Sequence, residues 1–150
     1  MIMQIVKKRL TYSRGLVGNN IYMFTANSVI KQNQRNVMGA GCAKAVRDFY
    51  PNIDKLFGKE IKHLSRFGVK FVKYNEQFIG AFQTKYDWQE GSPLELVEYS
   101  TKYLKFIADN KPEYTFHLPC PAVSHGGCSV EEILPMLEIL PDNVIVYLDK

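Results

Sequence analysis

The sequence predicts an α/β domain in three layers, a mixed sheet held between two sets of helices. Three observations carry this. Short apolar runs alternate along the chain with stretches of helical apolar spacing, two of the runs are joined through Asn75-Glu76 as a hairpin, and two glycine-rich loops each follow a predicted strand and open a helix. At 150 residues, 46% hydrophobic and 23% charged, the whole chain 1–150 reads as one soluble globular domain long enough to bury a proper core.

Gln4 to Val6 reads as a short edge strand, followed by Lys7, Lys8, Arg9 and a loop through Arg14, Gly15 and Gly18. Ile21 to Ala26 is a continuous apolar run between asparagines and reads as a buried strand. A polar loop, Asn27 to Asn36, leads to the first glycine turn, Val37-Met38-Gly39-Ala40-Gly41. From Cys42 a helix is expected with Cys42, Ala45, Val46 and Phe49 on its inner face, ending at Pro51. Asn52 then caps a second helix that buries Ile53, Leu56, Phe57, Ile61 and Leu64, closes at Gly68 and leaves His63 on the surface.

Gly68 to Tyr74 and Gln77 to Gln83 form the hairpin, and the second of these strands runs out through Thr84, Lys85, Tyr86, Asp87 and Trp88. Ser92, Pro93 and Glu95 look like a capping box for a helix reaching about Asn110, with Leu96, Val97, Tyr103, Leu104 and Ile107 inward. Tyr114 to Leu118 is the next strand. The second glycine loop follows, Ser124-His125-Gly126-Gly127-Cys128, with Ser129 and Glu132 as another capping box. Pro135 requires that helix to start late or to bend, and Asn143 to Leu148 closes the sheet.

The glycine loops carry the chemistry. Around Gly39 and Gly41 the backbone can approach a ligand closely, and the helix that follows presents free N–H groups and the positive end of its dipole. Two readings stay open for one such loop, a phosphate cradle and a tight turn into a packed helix, since neither GxxxxGK[ST] nor GxGxxG is present. Two loops at strand ends suggest one diphosphate. Asn27 lies beside them at a strand's carboxyl end, where open α/β sheets collect ligands; it could equally cap a turn.

Composition narrows the rest. No apolar run reaches a membrane span and the N-terminus has no signal-peptide order, so a cytoplasmic protein that avoids membranes is expected. Cys42, Cys120 and Cys128 lack CxxC spacing and do not combine with His63, His117 and His125 into a ligand pattern, so neither a structural metal nor a cofactor is expected. The net charge of +4 permits polyanions, but the 19 Lys and Arg are scattered and nothing specific supports nucleic-acid binding. Oligomeric state is not legible.

These residues together resemble the macro domain family, within it the branch of terminal ADP-ribose glycohydrolases and their bacterial DNA-de-ADP-ribosylating relatives. Val37 to Gly41 is similar to that branch's V/R-M-G-x-G loop, Phe78 to Lys85 to its Y/F-I strand ending in T-K, Pro121 to Val130 to its P-x-I/V-G-C-G loop, and Val146-Tyr147 to its closing V-Y pair. The resemblance implies ADP-ribose or an ADP-ribosylated molecule as ligand. It implies that Met38, Gly39, Ala40, Gly41 and Cys42 hold the distal ribose and diphosphate, with Ser124, His125, Gly126, Gly127 and Cys128 closing from the other side. Asn27 would reach the distal ribose, Tyr147 would lie near the adenine, and Lys85 would attack the anomeric carbon.

Two positions depart from the family pattern. Cys128 stands where the branch has an acid–base aspartate, so His125, which replaces the cysteine of G-C-G, or Asp87 must substitute, or the site binds without turnover. Arg9 stands where an aspartate accepts from the adenine amino group, and arginine has no acceptor. The expected functions are therefore hydrolysis of an ADP-ribosyl conjugate, with His125 as a second catalytic candidate suited to an ADP-ribose 1''-phosphate phosphatase, or capture of ADP-ribose-like nucleotides without catalysis. An RNA or protein interaction domain rests on the basic charge alone.

Overall fold

Residues 2–12 and 18–149 are described by the computed structural model. The expected loop through Arg14 and Gly15 lies outside them. In chain order the elements are β1 Gln4–Val6, β2 Asn20–Ala26, α1 Gly41–Phe49, α2 Ile53–Ile61, β3 Val69–Tyr74, β4 Gln77–Gln83, α3 Leu94–Asn110, β5 Thr115–Pro119, α4 Val130–Leu137 and β6 Val144–Tyr147. The strands form one sheet in the order β1-β6-β5-β2-β4-β3. Neighbours from β1 to β4 are parallel, and the hairpin pair β3–β4 is antiparallel, with Tyr74 opposite Gln77. The mixed three-layer sheet predicted from the sequence is what forms.

Both faces of the sheet are covered, which is why β2 and β4 read as continuous apolar runs rather than as alternating ones. On one face Met23, Phe82, Phe116 and Val146 pack with Val97 and Leu104 of α3 and Ile133 and Leu137 of α4. On the other, Phe24, Val72, Ile79 and Ala81 pack with Val46 of α1 and Ile53, Phe57 and Ile61 of α2. No helix among the described residues is long and apolar enough to cross a membrane.

Several local expectations need correction. Helix α1 buries Ala43 and Val46, while Ala45 and Phe49 are exposed, so the inner face is turned from the one that spacing suggested. Asn52 has φ 72° and no capping bond of its own; its Oδ1 accepts from Arg35 Nη2 at 3.2 Å, because the chain reverses sharply after Pro51. Helix α2 ends at Ile61, leaving Leu64 exposed, and Gly68, at φ 72°, prepares β3 rather than closing the helix.

Pro93, not Ser92, caps α3, and Tyr103 is exposed while Ser100 and Thr101 are buried in its place. The Ser129–Glu132 capping box forms in full, α4 starts there, and Pro135 is accommodated two residues before its end at Leu137. The helix therefore does not start late.

Candidate functional site

Because β1, β6, β5, β2 and β4 run the same way, their carboxyl ends gather at one edge of the sheet. In open α/β sheets this edge is where ligands bind. The exits of β2 and β4 are fused there: the N–H groups of Thr84 and Lys85 both donate to the Ala26 carbonyl, at 2.9 and 3.3 Å.

The first glycine loop is held from beneath by two asparagines. Asn27 Nδ2 donates to the Val37 carbonyl at 3.0 Å, and its Oδ1 accepts from the Val29 N–H at 3.0 Å. Asn36 Nδ2 donates to the Val29 carbonyl at 3.0 Å and to the Asn27 carbonyl at 3.2 Å. The Asn27 amide thus organises the loop, and Met38, 2% exposed, anchors it in the core, so only the backbone of Met38 can face a ligand.

Above these anchors Gly39 and Ala40 are exposed, and no side chain caps α1. The N–H of Lys44 makes the first bond back, to the Ala40 carbonyl at 3.1 Å, and no acidic residue sits in the first turn. The leading N–H groups therefore remain available to an anion, beside the positive end of the helix dipole. Cys42 is committed elsewhere: its Sγ meets Thr25 Oγ1 at 3.1 Å and the Thr25 N–H at 3.3 Å, tying α1 to the end of β2.

The second loop leaves β5 with the Cys120 N–H on the Tyr147 carbonyl at 2.8 Å and closes with the Cys128 N–H on the Ala122 carbonyl at 2.9 Å. Between them Ser124 and His125 are exposed. Gly126 admits no side chain, since a Cβ there would lie 2.5 Å from Ser92 Oγ and 2.6 Å from the Ala122 carbonyl. Gly127 takes φ 79°, as the turn requires.

The two loops meet. A Cβ on Gly41, which has φ 59°, would touch the His125 ring at 3.4 Å. Lys85 reaches the same place: its Nζ donates to the His125 carbonyl at 3.1 Å and to the Trp88 carbonyl at 3.5 Å. Cys128 Sγ lies 3.6 Å from the Ser92 carbonyl, and burial together with the Glu132 carboxylate pushes its thiol pKa up, so it is a neutral thiol. Asp87 is occupied locally, its Oδ1 accepting from the Gln89 N–H at 3.0 Å. No group of three or more His, Cys, Asp or Glu among the described residues is placed to hold a metal.

No protein-family model and no curated protein matches this chain. Solved structures do match it in shape. The macrodomain of Thermus aquaticus DarG superposes with a TM-score of 0.71 at 21% identity, covering 99% of this chain and 98% of that one. The macrodomain of Mycobacterium tuberculosis DarG gives 0.70 at 18% identity, covering 99% of both. The fold is that of a macrodomain. Thermosipho africanus DarTG, solved in complex with ADP-ribose, gives 0.71 at 18% identity, covering 87% of this chain; this chain spans 38% of that one.

Within this macrodomain fold Tyr147 does not stand free. Its hydroxyl lies 2.8 Å from His117 Nδ1, whose Nε2 lies 2.8 Å from Asn20 Oδ1, and the His117 ring stacks on Tyr22 at 4.3 Å. Arg9 pairs at the surface with Asp149 at 3.0 Å. The sequence reading missed the parts that Asn36 and Ser92 play at this edge and the part that His117 plays inside the sheet. Asn36 and Ser92 had legible signals, an asparagine before a glycine turn and a serine after a glycine. His117 had none, because its partners come from two other strands.

Proposed function

We propose that this chain binds ADP-ribose, free or as the ADP-ribosyl part of a conjugate, across the two glycine loops, and hydrolyses the bond at the distal ribose. The supporting observation is the His125 ring standing so near Gly41 that a Cβ there would touch it, above an α1 N-terminus that has no side-chain cap. The uncapped N–H groups at the start of α1 and the Gly126 N–H of the second loop, unbonded among the described residues, suit a diphosphate, and the ADP-ribose complex of the structurally similar DarTG agrees with that ligand. Residues Gly39 to Cys42 and Ser124 to Cys128 form the cradle, and Lys85 and His125 are the side chains nearest its junction. In hydrolysis Lys85 serves as nucleophile or stabilises charge; in the variant reaction, removal of a 1''-phosphate, His125 stabilises the developing charge.

A second reading, capture without turnover, is favoured by Cys128. A neutral thiol directed at the Ser92 carbonyl is a poor substitute for a carboxylate acid or base. Calorimetric titration with ADP-ribose, run beside AMP and ribose 5-phosphate, tests the common part. Selective binding of ADP-ribose supports the cradle; equal or absent binding of all three removes it. Product assays on ADP-ribosylated protein, ADP-ribosylated DNA and ADP-ribose 1''-phosphate then separate hydrolysis from capture.

A further inference from the structure

The segment that leaves β4 and runs to α3 grips the second glycine loop at consecutive positions. Lys85 Nζ donates to the His125 carbonyl at 3.1 Å, and the Ser92 N–H donates to the next carbonyl, that of Gly126, at 2.9 Å. Cys128 Sγ closes on the Ser92 carbonyl at 3.6 Å, and the space for a Gly126 side chain is filled by Ser92 Oγ. In a trans peptide the C=O and the following N–H point in opposite directions. A His125 carbonyl turned to Lys85 therefore turns the Gly126 N–H away from Lys85, and that N–H finds no acceptor among the described residues. Lys85 has no carboxylate partner among them either, so its ammonium is spent on loop carbonyls.

We infer that Lys85 is a positioning residue: by holding the His125 carbonyl to the β4 exit it fixes the second glycine loop with the Gly126 N–H presented to the ligand's phosphate oxygens. This rests on the ADP-ribose reading and gives Lys85 a task that attack on the anomeric carbon does not require. A nucleophile acts on turnover, whereas a latch acts on affinity.

The test compares wild type, Lys85→Met, which keeps the stem and loses the ammonium, and Lys85→Arg, which keeps a cationic donor. Losing a charged hydrogen bond that orders the loop weakens ADP-ribose binding by roughly 10- to 100-fold in Lys85→Met, with Lys85→Arg within a few-fold of wild type. Amide exchange in the ligand-free proteins, read across Ser124 to Cys128, speeds up in Lys85→Met and returns toward wild type in Lys85→Arg. Unchanged affinity in Lys85→Met with turnover abolished assigns a nucleophile and overturns the latch. If wild type does not bind ADP-ribose, the functional reading fails alone, and the exchange comparison still decides the latch: equal loop exchange in wild type and Lys85→Met rejects it.

Discussion

His117 is a residue whose environment sets its protonation. With Nε2 facing the side-chain Oδ1 of Asn20, which can only accept, the proton sits on Nε2 and Nδ1 accepts from the Tyr147 hydroxyl, a neutral tautomer with both nitrogens satisfied. Burial holds its pKa below the usual histidine value. The unfolded chain therefore takes up a proton near pH ~6.5 that the folded chain resists. The stability this site contributes is complete above that pH and declines as pH falls toward the folded pKa. Thermal melts should show the midpoint dropping between pH ~7.5 and ~5.5, and His117→Gln should flatten that slope. An equally steep slope in the variant assigns the acid sensitivity elsewhere.

At the scale of elements, one helix–loop contact reverses the ordinary rule for glycine. Gly58 lies inside α2, where Ala is usually favoured by about 1 kcal/mol. Here a Cβ would collide with the Gln34 carbonyl oxygen, while Gln34 itself holds φ 69°. The helix presses against the loop that leads to the first glycine turn, and the Asn36 N–H bonds the Asp54 carbonyl at 3.0 Å in the same contact. Gly58→Ala should therefore destabilise, by about 1–3 kcal/mol in urea unfolding, where helix propensity alone gives the opposite sign.

Legibility follows the same logic. The pattern S-x-x-E occurs twice and only Ser129–Glu132 becomes a cap. At Ser92 the N–H and the carbonyl are both taken by the second glycine loop, so tertiary contacts outweigh the local signal.

For the whole molecule, the layers, the hairpin and both glycine loops were readable because each is written in adjacent residues. Strand order was not, since it depends on pairings such as β5 between β2 and β6 that no local pattern encodes. That the two loops serve one ligand was legible from their shared place at strand ends; the contacts that join them, Lys85 on the His125 carbonyl and the His125 ring against Gly41, were not, since they form only through the sheet beneath them.

The position of β1 has its own consequence. Among the described residues its sole neighbour in the sheet is β6, with Gln4 opposite Ile145 and the Leu148 N–H on the Val6 carbonyl at 2.8 Å. Closing so long a loop is entropically the costliest step in the sheet, whereas the β3–β4 hairpin closes across two residues. A chain emerging from synthesis must wait for β6 before β1 can settle. In pulse-labelled refolding the Leu148 amide should gain protection after the amides of β3 and β4, and simultaneous protection would show that the sheet instead forms in one cooperative step.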